Sequence, residues 1–151
     1  MRTIYDALRE SHEIQRSLCR RLVLAKPESG KRELILGELS IELAAHAASE
    51  ERFLYAPILL ADLGLDPSRH AIAEHHEIDE CVEELEQAQY DGGSWLAKAK
   101  ELSKLVQHHL KEEETKFFQI SGKILTEAQK LKLARQYDKD YLRMKAVLVA
   151  K

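Results

Sequence analysis

The sequence predicts an all-α protein, an up-down-up-down four-helix bundle with a short additional C-terminal helix. Three observations carry that prediction. Apolar residues recur at three- and four-residue spacing through four long stretches. Pro and Gly are few, three and six in 151 residues, and they cluster between those stretches. No segment reads as a strand. Short connections between long amphipathic helices make neighbours antiparallel, which gives the up-down order.

The first helix is expected from about Thr3 to Ala25, with Ile4, Leu8, His12, Gln15, Leu18 and Leu22 on one stripe, and Lys26-Pro27-Glu28-Ser29-Gly30 ends it. The second runs from about Lys31 to Leu60, bent or ended near Pro57, with Ile35, Leu39, Leu43, His46, Glu50 and Phe53 in line. Asp62-Leu63-Gly64-Leu65 follows as a break. Asp66-Pro67 is then a start signal, an N-cap with proline in the first turn, for a third helix to about Gln89. Its stripe is Ile72, His75, Ile78, Val82 and Leu85. Asp91-Gly92-Gly93-Ser94 separates it from a fourth helix, about Ser94 to Ser121, carrying Leu102, Leu105, His109, Glu113, Phe117 and Ile120. Thr126-x-x-Gln129 is a capping box that opens the last segment. Residues 1–125 therefore form the bundle. Residues 126–151 form a helical extension packing on it through Leu131, Ala134, Tyr141, Leu142 and Leu148.

The net charge of −3 argues against a general polyanion binder, so no nucleic-acid partner is expected. The last 25 residues carry seven Lys/Arg against three Asp/Glu, leaving −7 for the rest, and read as a basic amphipathic helix. Charged residues from Asp6 onward precede any long apolar run, so neither a signal peptide nor a membrane span is expected. A cytoplasmic location follows by default. Cys19 and Cys81 lie on separate helices and read as small core residues that a reducing compartment keeps unpaired.

The stripes are not wholly apolar. Each contains one histidine, and the second and fourth add a glutamate one turn on, at His46/Glu50 and His109/Glu113. The surroundings repeat too. His46-x3-Glu50-Glu51 and His109-x3-Glu113-Glu114 both continue, after two residues, into an apolar residue and an aromatic one, Leu54-Tyr55 and Phe117-Phe118. One histidine on an apolar stripe is more often a hydrogen-bonded core residue than a ligand. Six ligand-type side chains at matching depth are different, because two buried carboxylates repel and four imidazoles cannot all be satisfied without a cation.

Imidazole with carboxylate suits iron, manganese or zinc, and six side chains are too many for one tetrahedral zinc. Two ions are therefore expected. Four single-donor histidines and two bridging carboxylates supply about eight contacts, a shared hydroxide about two more, and two six-coordinate ions need about twelve. About two positions stay open for a small ligand. His70, in the first turn of the third helix, is carried as a seventh metal candidate, because fraying there would let it swing toward the ions. His76 and His108 are rotated about 100° off the stripe and are expected at the surface or behind a ligand. Glu51 and Glu114 are expected to face neighbouring helices or solvent, and Glu74 to orient a ligand imidazole.

With these residues in hand, the chain resembles the hemerythrin-like (HHE cation-binding) family of the bacterial stand-alone type. Ser11-His12, His46-x3-Glu50-Glu51, Glu74-His75 and His109-x3-Glu113-Glu114 carry the resemblance, over about residues 3–121. It implies two iron ions bridged by two carboxylates and an oxo or hydroxo group, binding O2, NO or peroxide for sensing, carriage or protection. The chain departs from the oxygen-carrying hemerythrins at Ala71, where they place a further histidine, and in using His109-x3-Glu113 where they use His-x4-Asp. Those departures make peroxide or NO chemistry, as in an enzyme reducing either, iron handling and sensing comparable with a reversible oxygen carrier; Fe–S repair proteins of the superfamily are similar too, but usually carry an extra N-terminal cysteine-bearing segment. A metal-free interaction bundle is the third class of reading. The expected partners are a diatomic gas or peroxide, with a homo-oligomer or an unknown protein partner left open.

Overall fold

A computed structural model describes residues 1–88, 90 and 93–151; Gln89, the expected end of the third helix, and Asp91 and Gly92 of the expected linker lie outside the described residues. Seven α-helical segments are α1 (Ile4–Leu24), α2 (Lys31–Glu50), α3 (Ala56–Leu59), α4 (Asp62–Gln87), α5 (Gly93–Glu112), α6 (Phe118–Ile124) and α7 (Glu127–Val149). Two π-helical stretches, Glu51–Tyr55 and Glu113–Phe117, splice α2 to α3 and α5 to α6. The bundle therefore has four long legs plus α7, and the described residues include no strand.

Local chemistry explains the ends. Thr3 caps α1 with a full capping box, its hydroxyl accepting from the Asp6 amide. Gly30, at φ 71°, takes the left-handed turn into α2 that a side chain would disfavour. Thr126 and Gln129 make the expected capping box at the start of α7.

The second helical leg ends at Leu59, close to Pro57 as expected, and the proline itself sits in the first turn of α3. Two expectations need correction. The third helix begins at Asp62, so Asp66 is no N-cap and Pro67 lies inside the helix, where it costs only the bond to Leu63. Gly64 makes that early start feasible, since a Cβ there would overlap the Ile58 carbonyl. Finally, the C-terminal helix is not short: α7 spans 23 residues. Its packing face includes the expected Ala134, buried, with Leu131, Tyr141 and Leu148 half-buried, and adds Leu133 and Tyr137, whereas Leu142, expected to pack, is 68% exposed.

α1 packs on α2 and α5, α4 packs on α5, and α7 lies across α1 and α2. Two apolar clusters fill the bundle. One, around Leu22, Leu39, Leu85, Trp95 and Leu102, occupies one end; the other, around Ile4, Leu54, Ile58, Phe117 and Tyr137, occupies the opposite end. Cys19 and Cys81 are free and buried in the first cluster, as expected. Between the clusters lies a buried polar layer.

Candidate metal centre

That layer brings together the six stripe residues. His12 comes from α1, His46 and Glu50 from α2, His75 from α4, His109 from α5 and Glu113 from the π stretch that follows it; each is at most 6% exposed. Four separate helices supply them because each stripe carries its histidine at the same depth.

The donor atoms fall into two groups that share Glu50: His12, His46, Glu50 and Glu113 form one, and Glu50, His75 and His109 the other. Glu50 Oε1 stands 3.3 Å from His46 Nε2 and 3.2 Å from His75 Nε2. Glu113 likewise spans both groups, with Oε1 3.2 Å from His12 Nε2 and Oε2 3.7 Å from His109 Nε2. His75 and His109 point their Nε2 atoms at each other across 3.1 Å. Two donors each about 2.1 Å from one ion, at right angles, stand about 3 Å apart, so these separations are those of ligands around common ions.

The decisive test of fit is satisfaction. His12 Nε2, His46 Nε2, Glu50 Oε2 and Glu113 Oε1 are buried and make no hydrogen bond. Orphaned buried polar atoms cost about 1–3 kcal/mol each, more when charged, so this arrangement is poor as a plain core and apt as a cation cage.

Each imidazole is held from behind through Nδ1. The partners are Glu114 for His12 at 2.8 Å, Tyr137 for His46 at 2.8 Å, Glu51 for His75 at 2.9 Å and Glu74 for His109 at 2.9 Å. In a neutral ring that donates Nδ1–H outward, the Nε2 lone pair would face the centre, as a metal ligand requires. Sequence reasoning found only the Glu74 contact. It placed Glu51 and Glu114 against helices or solvent, and it missed Tyr137 altogether. The available signal for the first two was the doubled Glu-Glu in both copies of the repeat.

Tyr55 was missed as well. Its buried hydroxyl lies 2.8 Å from Glu50 Oε1 and also contacts Glu113 Oε2, so its single proton is shared between the two carboxylates. In a regular α-helix, five residues beyond Glu50 would face about 140° away. Bonding from i to i+5 widens the π turn and returns that position toward the face of Glu50. Both copies of the repeat, His-x3-Glu-Glu-x2-apolar-aromatic, carry a π stretch at this point.

Charge follows from burial. For His12, burial acts to lower the pKa but is outweighed by the Glu113 and Glu114 carboxylates, leaving it raised to about 9. His75 is raised to about 10, burial again being outweighed by Glu50 and Glu51. Burial, with Glu50 beside it, pushes Glu113 up, whereas Glu50, despite burial, is held well below the ordinary range by His46 and His75. Burial also opposes ionisation of Glu114, yet His12 and Arg16 hold it at about 2.

His70 is not brought to this layer. It is 58% exposed, with Nε2 3.0 Å from Glu112 and 3.5 Å from Glu74. His76 and His108 are exposed, as their position off the stripe implies. A cavity of about 270 Å³ lies between α4 and the leg formed by the end of α5 and the π stretch after it, and Ala71, His109, Glu113 and Phe117 are among its walls.

Comparison with known proteins gives a consistent picture. Residues 3–120 match the family described as the hemerythrin HHE cation-binding domain. Among solved structures, a hemerythrin HHE cation-binding domain-containing protein from Mycobacterium kansasii shares the fold, with a TM-score of 0.86 at 22% identity over 97% of this chain and 90% of that one. Comparison with curated proteins finds no match.

Proposed function

The chain belongs to the hemerythrin HHE cation-binding family, and on that premise we propose that it holds two iron ions and binds a small ligand, O2, NO or peroxide, beside them. His12 and His46 would hold one ion, His75 and His109 the other, with Glu50 and Glu113 shared. The observation that carries this reading is the set of unpartnered buried donors, two imidazole nitrogens and two carboxylate oxygens, gathered where no other group satisfies them. Imidazole together with carboxylate is a donor set that suits iron, and metal analysis separates it from manganese and zinc, which the same donors also take. When bound, the irons would supply a redox-active, Lewis-acidic pair with room for a small molecule.

The chain's own residues define where that molecule would sit. Ala71 is small and buried, and the cavity beside it reaches His109 and Glu113, so room for a ligand lies on the His75/His109 side. Ala71, Phe117 and Ile120 give the cavity an apolar face beside His109 and Glu113, which suits a small ligand such as a diatomic gas or peroxide. The four outward Nδ1 contacts fix ring orientation. Tyr55 holds a hydroxyl proton between the two carboxylates.

A second reading, turnover of peroxide or NO, is favoured by that proton, an acid group held against both shared carboxylates. Anaerobic reconstitution followed by metal analysis tests the first reading: two irons per chain are expected, and wild-type protein that takes up no iron refutes it. Mixing the ferrous protein with excess peroxide or NO in the presence of an excess electron donor, with the protein-free reaction subtracted, separates the two. Consumption stopping near one equivalent marks a binder, and continued consumption an enzyme. Among the described residues no helix is long and apolar enough to cross a membrane, and a cytoplasmic location is part of the proposal.

A further inference from the structure

Two more His-x3-Glu pairs face each other across α4 and α5, outside the buried layer. They are His70/Glu74 and His108/Glu112. His70 Nε2 lies 3.0 Å from Glu112 Oε1 and 3.5 Å from Glu74 Oε2, while His108 Nε2 lies 3.0 Å from Glu112 Oε2 and 3.8 Å from Glu74 Oε2. Each carboxylate thus meets an imidazole from its own helix and one from the facing helix. Surface ion pairs need one partner each. Here donor atoms of His70, Glu74 and Glu112 converge within 4.8 Å of one another, a spacing suited to one divalent ion with an open, solvent side.

Position gives this cluster a second, independent meaning. The same three side chains line the 270 Å³ cavity whose inner wall includes His109 and Glu113. Exposure grades along it, from 58% for the His70 side chain through 25% for Glu112 and 16% for Glu74 to 1% for Glu113. Glu74 joins the two ends directly, with Oε1 accepting from His109 Nδ1 at 2.9 Å while Oε2 faces the outer histidines. A buried centre needs a polar route for a hydrated cation. A stepwise exchange of water for carboxylate and imidazole at the mouth supplies one.

We infer that His70, Glu74 and Glu112, with His108 beside Glu112, form an outer divalent-cation site that loads the buried centre through this cavity. The inference rests on the two-ion reading of the inner cluster. His70 is then a metal ligand after all, but of a different site from the one the sequence suggested.

The test uses the full chain with His70→Ala and His108→Ala combined, both exposed positions where substitution leaves the helices intact, checked by circular dichroism. Metal-free protein is mixed anaerobically with limiting Fe2+, and filling of the inner centre is followed by loss of chelatable iron. Loading should slow by about tenfold or more in the variant, with the same final iron per chain as wild type. Separately, iron-loaded wild type titrated with Mn2+ in a calorimeter should take up one further ion per chain, and the variant none. Equal loading rates, or no additional Mn2+ in wild type, overturns the outer site. Failure of wild type to take up any iron instead defeats the two-ion reading, and the Mn2+ titration of that same protein still reports on the outer site.

Discussion

Loading the metal-free protein with Zn2+, a redox-silent probe, should release protons, and the structure says how many. Two carboxylates buried without a cation need compensation, and the raised values of His12 (about 9) and His75 (about 10) mean that two imidazolium protons supply it. A metal ligand must be a neutral imidazole, so both protons leave on binding. At pH 8 groups with those values are roughly 90% and 99% protonated, so about two protons per chain come from the histidines. The direction follows: apparent affinity for Zn2+ rises with pH, by up to about a hundredfold per unit from pH 7 to 9, and levels off above 10. The metal-free fold shows the opposite trend. Its pKa values exceed the unfolded reference near 6.5, so this stabilisation is complete below that value and is lost as pH rises through 9 to 10. Indicator-dye titration in weak buffer reads the release, and calorimetry in buffers of different ionisation enthalpy checks it. Release of less than one proton at pH 8, with affinity flat from pH 7 to 9, would show that the cluster is not charged in this way.

Tyr137→Phe removes the outward contact of His46 without opening a cavity, so iron affinity should fall about 10–100-fold with unchanged helical content; equilibrium dialysis measures it, and wild-type affinity would acquit Tyr137. Glu50→Ala takes a donor from both groups, so iron per chain should drop further than in His12→Ala, which touches one group; equal losses by elemental analysis contradict a shared carboxylate. Leu39→Ala lies in the other apolar cluster, fully buried, and should cost about 2–5 kcal/mol in urea unfolding while leaving metal content at the wild-type level.

Much of this was legible in the chain. The capping box at Thr126, the glycine turn at Gly30 and the stripes of α1 and α2 all rest on neighbours within one helical turn, and the structure places them as the spacing implies. The six buried donors were readable for the same reason: one histidine per stripe, at one depth, must converge once four stripes face a common axis. Where local signals competed, the reading slipped. Asp66-Pro67 carries the chemistry of a helix start, but Gly64 lets the chain pack against Ile58 one turn earlier, and burial of that turn decided the outcome.

The outer contacts belong to another class. Tyr137 meets His46 across 91 residues of chain with no periodic mark that singles it out, and Glu114 meets His12 across 102, its repeated Glu-Glu marking the residue but not its partner. The π stretches were invisible too, since the same aromatic at Tyr55 would face elsewhere in an ordinary helix. His70 differs only in where its helix turns it, outward to Glu112 at the cavity mouth. What the sequence alone determined was therefore the set of helices, their inward stripes and the inner donors, because side-chain direction along a helix repeats every few residues. What only the tertiary structure decided was which side chain backs each imidazole and which histidine stays outside. Those depend on the rotation and offset of whole helices against one another, and no local pattern specifies either.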